Sequence, residues 1–514
     1  MSGGAYSLAN IRAGLKSFAL GKVVTAPMSF VVVLLLAAHM VKEEYASYVS
    51  ATAILEIGTM VARCGIDWLI QTTIATIRVR GTPGELRRAI IVLGCLQAVP
   101  QMLIALGIGL CAPLIASLLS NVVTADVLRL YAIVLAIEGP ARMVRDHVLG
   151  VLMVQGAVQI SQIVRVLTLF ACVGSLIVSG MPVTADHVAV SEIGASAISL
   201  LVALRALLPY LSRSRIGNET NVSISKYLGK DSFRFAANAY FSFMFTILLS
   251  AEVTTAFVAR YLGTDATAIF GFLTKLIDTG RRFLPMDLFY AVILPATIGR
   301  FESSGRDFGN LMRDANLMLK ANLVVLSAGM AVALGIGDDL VRWLSRGNVQ
   351  PPPFMLAALL ATAYGHSLRR VVELVAFVIG RSKIFLYGSF SVMLTPIAFV
   401  VLFGLYKHLY VVAGVLCFID LLFSSLVIWA LRRENGRLGF DWQNGAKLCV
   451  CSILGGTAGA LIDHFSASMY GMIAASAASL AVFAIMLFAS RVVGMVDITY
   501  AVSLVKSKAR PAAQ

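Results

Sequence analysis

The segment KLIDTGRRF, Lys275 to Phe283, places Lys275, Asp278 and Arg282 at i, i+3 and i+7, with Arg281 about 100° away around the same helix. Its flanks, ATAIFGFLT and LPMDLFYAVILPA, are apolar enough to lie in lipid. A charge at the centre of a bilayer costs at least ~2.5 kcal/mol, so such residues usually face protein or a water-filled cavity. Arginine forks grip phosphate oxygens bidentately and lysine supplies a mobile point charge. Several cations along a wet cleft therefore suit a diphosphate or another anion. Acidic neighbours would hold those cations or take part in ion or proton coupling.

The pattern recurs in other apolar segments. Glu56 and Arg63 are also seven residues apart; Glu138, Arg142 and Arg145 form a second group, Arg369, Arg370 and Glu373 a third, and Arg165 adds a cation. The candidate substrate-binding residues are Arg63, Arg142, Arg145, Lys275, Arg281, Arg282 and Arg369, and the candidate coupling or ion-pair residues are Glu56, Glu138, Asp278 and Glu373. Plainer roles compete. Arg63, Arg145, Arg369 and Arg370 lie towards helix ends, where long side chains snorkel to the surface. One of Arg281 and Arg282 could serve only a neighbouring carboxylate, and Glu192 and Asp420 suit local hydrogen bonding as well as coupling.

No catalytic residue, cofactor or metal is expected. The seven cysteines (Cys64, Cys95, Cys111, Cys172, Cys417, Cys449 and Cys451) all fall in apolar segments, without ligand spacing or histidine partners.

The elements that must position these charges are membrane helices. Of the 514 residues 59% are hydrophobic and only 13% charged, against about 25% charged in soluble domains, and the mean hydropathy is +0.85. The chain reads as an all-α polytopic membrane protein. Its net charge of +15 has no soluble basic domain or aromatic-basic platform behind it, which argues against nucleic acid as a partner. Apolar runs of roughly 20 residues predict about fourteen spans, near 18–40, 45–67, 89–118, 127–153, 157–179, 185–208, 233–258, 266–297, 318–337, 353–378, 384–406, 409–431, 446–463 and 467–490. The first follows Arg12, Lys16 and Lys22 as a signal peptide would, but its apolar run is longer than such a peptide's and no clear cleavage site follows. The second and eighth exceed one crossing, which breaks near Gly65 and Pro285 would accommodate. Pro27, Pro100, Pro140 and Pro396 interrupt other apolar helices.

Arg and Lys concentrate in alternate loops, including RGTPGELRR and RSRIGNET, while SNVVTADV and SGMPVTADHV have none. This asymmetry places both termini in the cytoplasm. No loop is long enough for a catalytic domain.

The chain also resembles itself. MVKEEYASYVSATAILEIG aligns without gaps on LGTDATAIFGFLTKLIDTG at an offset of 222 residues, pairing Glu56 with Asp278 and Gly58 with Gly280. RDHVLGVLMVQGAVQI aligns on RRVVELVAFVIGRSKI at 224, pairing Arg145 with Arg369. The repeat predicts an N-terminal six-helix lobe (1–210), a cytoplasmic linker (211–232), a C-terminal six-helix lobe (233–435), two further helices (436–490) and a cytoplasmic tail (491–514). The two bundles should be pseudo-symmetric, with the same orientation in the membrane.

On the segments LKSFALGKVVTAPMSFVVVLLLAAHMVKEEYASYVSATAILEIG and ARYLGTDATAIFGFLTKLIDTGRRF, and on two six-span halves followed by two spans, the chain resembles polysaccharide transporters and lipid-linked oligosaccharide flippases. These form one family of the multidrug/oligosaccharidyl-lipid/polysaccharide (MOP) exporter superfamily. The resemblance implies two six-helix lobes that open alternately to the two sides of a bacterial inner membrane and carry an undecaprenyl-diphosphate-linked glycan outward. Its partners would be that glycan, membrane lipids and other polysaccharide assembly proteins. A lipid II flippase and a multidrug extruder share the architecture; the excess of cations over acids in the spans disfavours the extruder. A membrane polysaccharide polymerase or ligase is the enzymatic rival, but no long external loop gathers His, Arg and acidic residues.

Overall fold

The computed structural model of the chain describes residues 8–212, 227–281, 283–287, 297, 301, 307–379, 382–435, 439–465, 469–492 and 494. Arg282, the 213–226 part of the linker and the tail from 495 onward lie outside the described residues. Among those described, all regular structure is helical: α1 (Leu8–His39), α2 (Lys42–Val61), α3 (Ile66–Arg80), α4 (Pro83–Leu110), α5 (Ala112–Leu118), α6 (Ala125–Arg142), a π-helical turn (Met143–Leu149), α7 (Gln155–Val178), α8 (Ala185–Ser212), α9 (Lys230–Ile247) and α10 (Ala251–Arg281). There follow α11 (Phe308–Leu344), α12 (Met355–Val378), α13 (Ser382–Val392), α14 (Leu394–Leu405), α15 (Tyr410–Asn435), α16 (Trp442–Phe465) and α17 (Met469–Ala489).

Nine of the described helices are long and apolar enough to cross a membrane, ten with the bent pair α2 and α3, fewer than the roughly fourteen spans that run length suggests. The shortfall has a physical cause. The long helices that miss the threshold, α6, α9, α10 and α12, contain Glu138 and Arg142; Lys230, Asp231 and Arg234; Lys275 and Asp278; and Arg369, Arg370 and Glu373, each charge lowering the local hydropathy. Helices that are polar by composition yet packed among apolar ones are where a membrane protein keeps its functional charges.

Helix limits follow from local chemistry. In GTPGELRR, Thr82 accepts from the Glu85 backbone while the Glu85 carboxylate accepts from Thr82 N–H, and Pro83 occupies the first helical position, so α4 starts there. Gly65, at φ 72°, turns the chain between α2 and α3, which meet at 53°; a Cβ there would lie 2.5 Å from the Ala236 carbonyl oxygen. α10 is interrupted at Gly263, with φ 81° and ψ −167°. That break stands 222 residues after Val41, the extended residue (φ −66°, ψ 156°) between α1 and α2. The repeat offset thus applies to helix boundaries as well as to residue types.

The described chain groups into two compact units, one of residues 1–272 and 403–409, the other of 273–402 and 410–514. In the first, Ile66, Ile70 and Ile74 of α3 pack with Leu93 of α4, Val148 and Leu149 of the π turn and Ala203 of α8. In the second, α11, α16 and α17 meet through small residues: a Cβ on Gly455 would come within 2.8 Å of the Ser479 carbonyl oxygen, and one on Gly456 within 2.6 Å of Leu334 Cβ. Close backbone approach of this kind replaces the hydrophobic effect as the source of helix association in lipid. Leu103, Leu106 and Leu110, by contrast, are strongly exposed along one side of α4, as a lipid-facing surface requires. Gly455→Ala is expected to cost about 1–3 kcal/mol by overpacking, read as a lower thermal midpoint in detergent. Gly174→Ala in α7, with open space around it, should leave the midpoint unchanged or raise it.

Candidate functional site

Each unit holds a charged network, and each network is built around one helix whose sequence places arginine and carboxylate on a shared face. In the first unit the centre is Glu138 of α6, with its side chain only 2% exposed. Its Oε1 accepts from Arg142 Nε at 2.9 Å, one helical turn on, and lies 3.6 Å from Arg145. Arg165 of α7 brings Nε to 3.1 Å from Oε2, an ion-pair contact without hydrogen-bond alignment. Arg142 also forks onto Glu56 of α2, both distances 2.7 Å, the bidentate geometry that a planar guanidinium favours. Arg145 donates to both Asp146 oxygens, at 3.0 and 3.2 Å, and to Ser199 Oγ of α8 at 3.4 Å. Three arginines from two helices and a π turn thus converge on one buried carboxylate.

Pro140 lies inside α6, and the π turn begins at Met143. Proline withholds an N–H from the helix ladder, and such local widening is frequent at functional sites. Arg63, in the bend between α2 and α3, sits 5.2 Å from the centroid of Phe243, a cation–π contact; among the described residues no carboxylate is within ion-pair distance of it.

In the second unit Arg369 of α12 is 4% exposed. It donates to Glu373 at 2.9 Å and to Asp420 of α15 at 3.3 Å, and lies 4.4 Å from the Phe423 centroid. Arg370 reaches Glu373 at 3.5 Å and Asp287 at 3.8 Å. On α10, Arg281 approaches Asp278 at 3.5 Å, and both remain partly exposed, 25% and 35%. Lys275 is half-buried, and among the described residues its ammonium has no ion-pair partner.

Sequence and structure can be matched residue by residue. Arg142, Arg145, Glu138 and Glu56 come together; Arg369 joins Glu373; Arg281 joins Asp278; Arg63 and Lys275 stand apart from carboxylates; Arg282 lies outside the described residues. Arg145 and Arg369, aligned by the repeat, are both buried rather than snorkelling, and they meet Ser199 of α8 and Phe423 of α15, again 224 positions apart. Asp146 and Asp287 were not singled out by spacing. Asp287 meets Arg370 only because the chain turns at residues 283–284, ahead of Pro285, a tertiary arrangement with no helical period. Among the described residues no group of three or more His, Cys, Asp and Glu side chains is arranged to hold a metal ion.

The sequence profile described as "Polysaccharide biosynthesis protein" matches residues 11–296, more than half of the chain. Comparison with curated proteins gives no match. Among solved structures, the fold is similar to that of lipid II flippase MurJ in an inward closed conformation, with a TM-score of 0.66, 10% identity, and coverage of 91% of this chain and 97% of the other. It is similar also to an inward-facing multidrug resistance MATE family transporter of the MOP superfamily, with a TM-score of 0.56, 11% identity, and coverage of 81% and 99%. The chain has the fold of these multi-pass membrane proteins; identities this low speak for the fold alone.

Proposed function

We propose, from the premise that this chain belongs to the polysaccharide biosynthesis protein family, that it is a flippase carrying a polyprenyl-diphosphate-linked oligosaccharide from the cytoplasmic to the outer leaflet of a bacterial inner membrane by alternating access. The observation that carries the reading is the presence of partly exposed cations inside apolar helical units, Arg63 and Lys275 among them with no carboxylate partner in the described residues. A lipid diphosphate brings its charge through a low-dielectric region, where such cations are worth more than on an open surface.

Within this reading Arg63 of the first unit and Lys275 of the second are each a cation that meets the diphosphate at some stage of its passage. Arg142 and Arg281, each 25% exposed and held by Glu56 and Asp278, exchange carboxylate for phosphate during passage. Arg145 and Arg369, both buried, keep the networks in register, with Glu138 and Glu373 as the fixed acids. The segments 1–210 and 233–435 act as the two moving lobes, and both termini are cytoplasmic.

The test is a reconstituted assay with fluorescent lipid-linked glycans, in which reduction by an impermeant quencher reports the leaflet. Translocation of a polyprenyl-diphosphate oligosaccharide is expected. Transport of lipid II alone would move the assignment to cell-wall synthesis, and transport of a cationic drug without either lipid would overturn it. Orientation is checked separately. In a background without the seven native cysteines, Arg87→Cys, exposed near the start of α4, is expected to react with an impermeant thiol reagent only from the cytoplasmic side. Asp186→Cys, exposed in the first turn of α8, should react only from outside; the reverse pattern inverts the topology.

A further inference from the structure

The bend between α2 and α3 that carries Arg63 is completed by a third helix. α9 groups with the first unit and lays Ala236, Tyr240 and Phe243 on that bend, residues that at i, i+4 and i+7 share one face. Ala236 packs in the core with Ile66 and Ile70, and its carbonyl oxygen lies so near Gly65 that only glycine admits α9 there. Tyr240 donates its hydroxyl to the Val61 carbonyl at 2.8 Å. Val61 ends α2, so that carbonyl is among those a helix end leaves without a donor from its own ladder. The approach to α9 is tied down as well: Leu228 packs against Ile77 and Ala89, and Tyr227 donates to Glu85 Oε2 at 3.4 Å.

Phe243 completes this arrangement by presenting its ring 5.2 Å from the Arg63 guanidinium. A ring face attracts the charge of a guanidinium, while the N–H edges remain the part that grips a pair of oxygens. Among the described residues the Arg63 side chain donates no hydrogen bond, and it is half-buried beside the exposed Cys64. We propose that Phe243 is a positioning residue for substrate recognition: its ring seats the Arg63 guanidinium with the fork ready for the diphosphate oxygens, on a bend that Tyr240 fixes. An arginine ordered before the substrate arrives does not surrender its rotamer freedom on binding, which tightens binding without any new contact to the ligand. The inference rests on the flippase reading, within which Arg63 meets the diphosphate.

The experiment measures translocation of a polyprenyl-diphosphate oligosaccharide against its density in proteoliposomes. Phe243→Leu is expected to raise KM roughly three- to tenfold, the ratio to which loss of a cation–π contact converts, with kcat unchanged. Phe243→Tyr, which keeps the ring face, should keep the original KM. In an Arg63→Gln background Phe243→Leu should change KM no further, a non-additivity that a purely structural role for the ring would not produce. An unchanged KM in folded Phe243→Leu overturns the proposal, as does the same rise in the Arg63→Gln background or an equal rise with Phe243→Tyr. Thermal midpoints are measured alongside. Should Phe243→Leu fail to fold, Tyr240→Phe, which removes one hydroxyl and loosens the bend, carries the same prediction and the same dependence on Arg63. Absence of translocation by the unaltered protein would count against the flippase reading. The seat is then judged by retention of a polyprenyl diphosphate in native mass spectrometry, where the same Arg63-dependent loss supports it and equal retention overturns it.

Discussion

Replacing Lys275 and Arg63 together by glutamine is expected to reduce glycan-lipid translocation by at least tenfold while the protein stays folded. A unit charge about 4 Å from a phosphate is worth roughly 4 kcal/mol gross at an effective dielectric constant near 20. Retaining only a third of that after desolvation already amounts to about a tenfold effect. Neither change strands a buried acid: Asp278 keeps Arg281 at 3.5 Å, and Arg63 has no carboxylate partner among the described residues to lose. Lys275→Arg should preserve more activity than Lys275→Gln, because charge rather than shape is the requirement at a site of a single point cation. A folded double variant with full transport would remove both residues from the proposed route. A variant that fails to fold would instead assign them to structure.

Glu138→Gln is expected to be the most damaging single change to stability, at about 3–5 kcal/mol, the usual consequence of leaving buried charge uncompensated. One carboxylate, 2% exposed, stands against Arg142, Arg145 and Arg165, with its nearest atoms 2.9–3.6 Å away. The ranking around it follows from geometry. Arg142→Gln should cost less, since Glu138 keeps two arginines and Glu56 is 25% exposed and can be hydrated. Asp146→Asn should cost least, because Asp146 is 38% exposed and exposed ion pairs contribute about 0–1 kcal/mol. Unfolding followed in detergent by intrinsic fluorescence gives the order. An unchanged midpoint for Glu138→Gln, or a larger loss for Asp146→Asn, would show that the network is not centred on Glu138.

The membrane class, the all-helical architecture and part of each network were legible in the residues themselves. Composition and apolar run length act locally, and the i, i+4 spacings of Glu138 with Arg142 and of Arg369 with Glu373 are realised as 2.9 Å contacts. The same holds for Asp278 and Arg281 at i, i+3. Gly65 and the region of Pro285 are where the chain leaves the helices of the aligned segments. Helix-end position, however, misdirects for Arg145 and Arg369, which it makes candidates for snorkelling; the structure buries both.

Tertiary structure alone decided which acids on other helices the cations meet. Arg142 finds Glu56 across 86 residues and Arg369 finds Asp420 across 51. Helical periodicity relates only residues a few positions apart, so it fixes the face on which a charge emerges and nothing about the helix opposite. Which arginines are spent on carboxylates and which remain to meet a substrate is settled by packing. Within the described residues that packing ties Glu138 to three arginines and leaves Arg63 and Lys275 outside the ion pairs.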